Sequence, residues 1–189
     1  MYGARPRPKT NLMKITIGCL IAAMALSAAV HIAPATAVDA ASARVERIAS
    51  VLELATGIKA RVLVVPDAAR DACVMPDGTI VITNGLVAAC ATDDEAAFVI
   101  AHELAHVAAL DHRGASSAPA LYTGADRPEY QFREINADIN AVYYTGKAGY
   151  DRAAGESILK RLAPDPNPTF DNRLRTLSTY LSTLGPVNR

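Results

Sequence analysis

Residues Phe98 to His112 read FVIAHELAHVAALDH. The run is apolar and Ala-rich, contains neither Gly nor Pro, and predicts a helix buried over most of its surface. His102 and His106 stand four apart, which puts both imidazoles on one face of that helix. Phe98, Val99, Ala105, Ala109 and Leu110 are their helical neighbours, so the face is expected to point inward. Burying two unpaired imidazoles is costly, and a shared metal ion removes that cost. Glu103 directly follows the first histidine, where its carboxylate can take a proton from water at such an ion.

A catalytic zinc site needs three protein ligands and one open position. His112 lies six residues after His106, but Ala109 stands where a glycine would let the chain turn back. With alanine the helix continues and His112 points away from the His102/His106 face. A better third ligand comes from the stretch REINAD, residues 133–138, where Glu134 and Asp138 share a face at i,i+4. Alone, that pair reads equally well as two solvated carboxylates. With HExxH upstream, Glu134 becomes the expected third zinc ligand. Asp138 becomes the acceptor for the outer N–H of a ligand histidine. Ala137 keeps the helix surface small enough for close approach.

The 189 residues suffice for one domain with a sizeable core. Half the chain is apolar (51%) and Trp is absent, so that core should be mostly Ala, Val, Leu and Ile. The formal charge is zero but uneven: residues 1–37 hold Arg5, Arg7, Lys9 and Lys14 and no acidic group. Without those four, fifteen basic side chains face nineteen acidic ones, a net −4, which excludes a nucleic-acid partner.

The basic start leads into ITIGCLIAAMALSAAV, residues 15–30, and then into Ala35-Thr36-Ala37. These are the parts of a secretory signal peptide, which predicts an exported, periplasmic or secreted protein. The alternative is an uncleaved membrane anchor over residues 15–32. Cys73 and Cys90 remain in the mature chain, either as one disulfide or as two buried thiols.

The rest of the pattern predicts a helix from Asp39 to Thr56 and a strand from Ala60 to Val65. Strands 72–75 and 79–83 follow, joined at the turn Pro76-Asp77-Gly78. A short helix spans 85–91, and Asp93 or Asp94 is expected to cap the HExxH helix, which ends near Asp111. Residues 112–127 form a loop. Helices are expected over Pro128–Thr145, Asp151–Leu162 and Asp171–Leu184. The result is an α+β domain over residues 38–189, with a small antiparallel-containing sheet packed on helices.

HExxH followed by ExxAD on a later helix resembles the zinc metallopeptidases that include HtpX-like proteases and the CAAX prenyl endopeptidases. DGTIVITNGL (77–86) is similar to the strand and turn before that family's active-site helix. DEAAFVIA (94–101) is similar to its lead-in, and AGYD (148–151) to the segment after its glutamate helix. The likeness runs from about residue 45 to 180. It implies a zincin-like (gluzincin) domain with one zinc ion held by His102, His106 and Glu134. Glu103 is then the base and Asp138 supports a ligand.

The resemblance also implies endopeptidase action on proteins or peptides, with a peripheral membrane contact left open. Substrate would pair as an added strand near Thr79–Thr83. An oxyanion donor is also needed, and Tyr122, Tyr130, Tyr143 and Tyr144 are the candidates. Two departures stand out. Asp71-Ala72 replaces a frequent Asn-Ala, and Asn167-Pro168 replaces a late His-Pro. Arg173, the arginine of that late segment, is expected to touch the site or substrate. The loss of the histidine leaves open a second reading, a catalytically weak zinc-binding envelope chaperone or assembly factor. An intact Glu103 argues against it, because a structural site needs no base.

Overall fold

The computed structural model describes residues 35–111, 128–163 and 168–185. The expected signal segment up to residue 34, the 112–127 loop with His112 and Tyr122, and Asn167 lie outside the described residues. Helix α1 (Ala35–Thr56) leads into strands β1 (Val62–Val65), β2 (Ala72–Val74) and β3 (Ile80–Thr83). Five helices follow: α2 (Asn84–Ala89), α3 (Asp93–Asp111), α4 (Pro128–Lys147), α5 (Ala154–Leu162) and α6 (Pro168–Thr183). The α+β class expected from the periodicities is what the chain adopts. Among the described residues no helix is long and apolar enough to cross a membrane.

The sheet order is β1-β3-β2. β2 and β3 form the expected hairpin, with Cys73 opposite Val81. Its turn is built by Gly78 at φ 82° and by Asp77, whose carboxylate accepts from the Thr79 N–H at 2.9 Å. β1 joins the other side of β3 in parallel, Val62 opposite Ile80. All four β3 residues are buried, as a central strand of alternating contacts on both faces requires. Cys73 and Cys90 are not joined by a disulfide, and burial pushes the Cys90 thiol up to about 11.

Helix α3 is the spine. It packs most extensively on α4, and also on α1, α5 and β2. Ile48 and Leu52 of α1, Ile80 and Ile82 of β3, and Phe98 and Ile100 of α3 close the core together with Ile158 and Leu177. The start of α3 is fixed differently from expectation. Thr92, not Asp93 or Asp94, caps it, its hydroxyl accepting from the Glu95 N–H at 3.2 Å. Glu95 in turn accepts from the N–H of Ala91, the residue before the cap, at 2.6 Å, and pairs with Arg161 of α5. Both aspartates are committed elsewhere. Asp93 binds Arg44 and Arg47 of α1, and Asp94 accepts from the Asp151 N–H at 2.8 Å. The last bond ties the AGYD turn, where Gly149 sits at φ 85°, to the head of the HExxH helix.

Close helix approach sets the position of α5. Gly155 lies directly against the Phe98 ring, and a Cβ there would fall inside the ring's van der Waals envelope. Phe98 is only 2% exposed, so its ring is enclosed by the core. Gly155→Ala is therefore expected to destabilise the protein by about 1–3 kcal/mol through overpacking. That loss outweighs the gain of about 1 kcal/mol in helix propensity. Urea unfolding measures it, and an unchanged midpoint would show that Phe98 has room to move.

Candidate metal centre

His102 and His106 project from the mid-length of α3 toward α4, as their i,i+4 spacing requires. Their Nε2 atoms approach to 3.2 Å. Glu134 of α4 closes the triangle, with Oε2 3.4 Å from His102 Nε2 and Oε1 3.5 Å from His106 Nε2. Tetrahedral zinc with bonds of about 2.0–2.1 Å sets its ligand atoms about 3.3–3.4 Å apart. The two Nε2 atoms match that spacing, each faces one Glu134 oxygen, and one ligand atom from each residue lies within 4.8 Å of the others; with two imidazoles and a carboxylate as donors, the residues fit zinc. No other group of three His, Cys, Asp or Glu side chains among the described residues converges in this way.

The supporting layer is equally specific. His102 Nδ1 lies 2.9 Å from Asp138 Oδ1, which fixes the proton on Nδ1 and leaves Nε2 to face Glu134 and His106. Arg173 of α6 closes on Asp138 with two bonds, Nε to Oδ2 at 2.8 Å and Nη2 to Oδ1 at 2.7 Å. Its Nη1 lies 3.2 Å from Glu134 Oε2. The guanidinium thus faces the two carboxylates rather than an open cleft, and Arg173 is only 9% exposed. Its outer side is covered by the Phe170 ring, 5.3 Å from the guanidinium carbon.

Charge is concentrated here at low exposure. Burial disfavours the His102 imidazolium, yet the hydrogen bonds to Asp138 and Glu134 outweigh it and push the group up to about 10. Burial also works against ionising Glu134, but its bonds to both histidines, with Arg173 nearby, hold it well below the usual carboxylate range. Asp138 is held down in the same way by Arg173 and His102, against its own burial. Glu103 differs. Burial raises it, and the His102 and His106 charges only partly oppose that, while Glu134 and Asp71 add to it. A carboxyl raised in this way beside a metal-ligand set binds a proton more readily than an exposed one, as a general base requires.

The sheet borders this cluster through β2, the strand that packs on α3. Thr83 holds its entry. The Thr83 hydroxyl donates to the Ala69 carbonyl at 2.6 Å and accepts from the Asp71 N–H at 3.1 Å. It also accepts from Leu86 N–H, starting α2. Substrate pairing along Thr79–Thr83 is corrected here: β3 has β1 on one side and β2 on the other, so both of its edges are already used. Among the described residues the unpaired edge next to α3 is the outer edge of β2. Sequence could not reveal this, because the parallel β1–β3 pairing is non-local.

Residues 39–125 match the model of peptidase family M48. Over those residues, just under half of its length, the chain is similar to that family. No curated protein gives a significant match to the chain. M48 peptidases are zinc-dependent metallopeptidases, which agrees with the donor set. The matched stretch carries α1, the sheet and the HExxH helix but ends before α4. Glu134, Asp138 and Arg173 are therefore brought to the histidines by geometry that the M48 match itself does not cover.

Proposed function

We propose that this protein is an exported zinc endopeptidase whose domain spans residues 38–189, acting on proteins or peptides of the cell envelope. The observation that carries the reading is the convergence of His102, His106 and Glu134, one ligand atom each within 4.8 Å of the others, beside a buried Glu103. His102, His106 and Glu134 hold the ion. When bound, zinc polarises the scissile carbonyl and makes water a stronger acid. Glu103 takes the proton of the attacking water and passes it to the leaving amine. Asp138 holds the His102 tautomer, and Arg173 holds Asp138 and Glu134 in place. The export assignment rests on the basic, apolar and Ala-Thr-Ala pattern of residues 9–37.

Substrate backbone is expected along the outer edge of β2, residues 72–74, the side of that strand away from β3. That edge belongs to the strand that packs on the HExxH helix, so a strand added there runs alongside the helix that carries Glu103.

The test is metal stoichiometry with proteolysis of fluorescein-labelled casein. The wild-type chain is expected to hold one zinc ion, and Glu134→Ala to lose tight zinc and activity together. One zinc retained at wild-type affinity in Glu134→Ala would remove this residue from the ligand set. Loss of zinc in His112→Ala instead would replace it with His112.

A further inference from the structure

We propose that Tyr130 is a catalytic residue of this site, its phenol donating the hydrogen bond that stabilises the oxyanion formed at the scissile carbonyl. The proposal rests on the zinc-endopeptidase reading above. Tyr130, Glu134 and Asp138 follow one another at intervals of four on α4, so they share one face of that helix. The direction of that face is settled by its other two members. Asp138 meets His102, while Glu134 meets both His102 and His106. Moving towards the start of α4 therefore moves from His102 to His106, and Tyr130 comes one turn further along the same line. The register thus puts Tyr130 beyond the His106 end of the ligand set.

Its surroundings agree. The phenol is half-buried, and the charges that act on it are Glu134, Arg173, Glu103 and Asp71. Those four are two side chains of the ligand layer, the base, and the residue at the start of the free strand edge. Electrostatic reach to all four agrees with the place that the helix register gives Tyr130, on the face it shares with Glu134. Burial, first, and the neighbouring carboxylates push the phenol above its ordinary value, so it keeps its O–H at neutral pH.

The other tyrosines of α4 do not qualify. Tyr143 is 56% exposed and nine residues from Glu134, on the opposite side of the helix. Tyr144 packs against the apolar core, and its phenol is influenced by burial and by Tyr143. Tyr150 sits by Arg47, Asp93 and Asp94 at the far end of α3.

In the step itself, the water oxygen bonds to the carbonyl carbon and the π pair moves onto the carbonyl oxygen. Glu103 receives the water proton. Tyr130 donates a hydrogen bond to the new oxyanion without giving up its proton. Collapse re-forms the carbonyl and breaks the C–N bond, and Glu103 delivers its proton to the amine. A donor placed for the oxyanion and not for the planar carbonyl lowers the barrier without tightening substrate binding.

Tyr130→Phe removes only the hydroxyl. It is expected to keep one zinc per chain and the wild-type urea midpoint. It should lower kcat on fluorescein-labelled casein by about 10²–10³ with KM little changed. Affinity for a zinc-binding phosphonamidate peptide, whose tetrahedral oxygens mimic the oxyanion, should fall by at least tenfold. A hydroxamate peptide, which lacks that tetrahedral centre, should bind as to wild type. Wild-type kcat and wild-type phosphonamidate affinity in Tyr130→Phe would overturn the proposal. So would a loss of zinc or of both inhibitors together, which would make Tyr130 a support for Glu134. Failure of the underlying reading looks different: the wild-type chain would then hold no zinc and bind neither inhibitor.

Discussion

Glu103→Gln is expected to bind one zinc ion as tightly as wild type and to lose proteolysis by at least about 10²–10⁴. Gln keeps the size and hydrogen-bonding shape of the side chain but cannot accept a proton at neutral pH. Glu103 is 8% exposed, and no bond joins it to His102, His106 or Glu134. The ligand triangle should therefore be undisturbed by the change. The substitution even relieves a cost, because burial already disfavours the Glu103 carboxylate. The apo protein is expected to be as stable as wild type or more so. The decisive comparison is turnover of labelled casein alongside zinc content. Full activity in a zinc-replete Glu103→Gln protein would dismiss Glu103 as the base. Equal function of that variant in cells would favour the chaperone reading instead.

Much of this site was legible because its parts obey helical periodicity. His102 and His106, then Glu134 and Asp138, are each pairs at i,i+4, and their alignment needs only that two helices pack face to face. The hairpin was legible for the same local reason, since Pro76-Asp77-Gly78 dictates its own turn. What escaped was non-local. Asp93 and Asp94 look like caps by type, but Arg44, Arg47 and the AGYD turn claim them, and Thr92 takes the cap. β3 reads as an edge because nothing near it in sequence announces that β1 pairs along its other side. Tyr130 stood among four tyrosines until the face it shares with Glu134 and Asp138 was seen to meet the histidines. Arg173 was noticed as a residue of the site, yet its charge partners lie 35 and 39 positions upstream and carry no local signature.

Arg173→Leu is expected to destabilise the apo protein by about 3–5 kcal/mol, the cost of leaving a buried charge pair half-made. Asp138 is 1% exposed and loses two charge-assisted bonds, and Glu134 loses a contact at 3.2 Å. His102 remains as a partial counter-charge, so collapse of the fold is not expected. Both carboxylates are held below their ordinary range in the folded protein. Their contribution is therefore complete above that range and is lost as pH falls through the depressed values. Removing Arg173 should accordingly move acid unfolding to higher pH. Arg173→Lys should recover only part of the stability, because a point charge cannot bridge Asp138 through two nitrogens and reach Glu134 with a third.

Zinc affinity separates the two jobs of this layer. Loss of support for the ligands is expected to weaken zinc by about 10–100-fold. Adding Asp138→Asn to Arg173→Leu removes the stranded charge, so stability should return towards wild type. The His102 tautomer loses its carboxylate partner, so zinc affinity should not return. Recovery of both together would mean that Arg173 acts only by neutralising Asp138. An unchanged urea midpoint in Arg173→Leu alone would mean that the ion pairs contribute nothing to the fold. Recovery of stability without affinity shows that Arg173 and Asp138 orient the histidine as well as balance its charge.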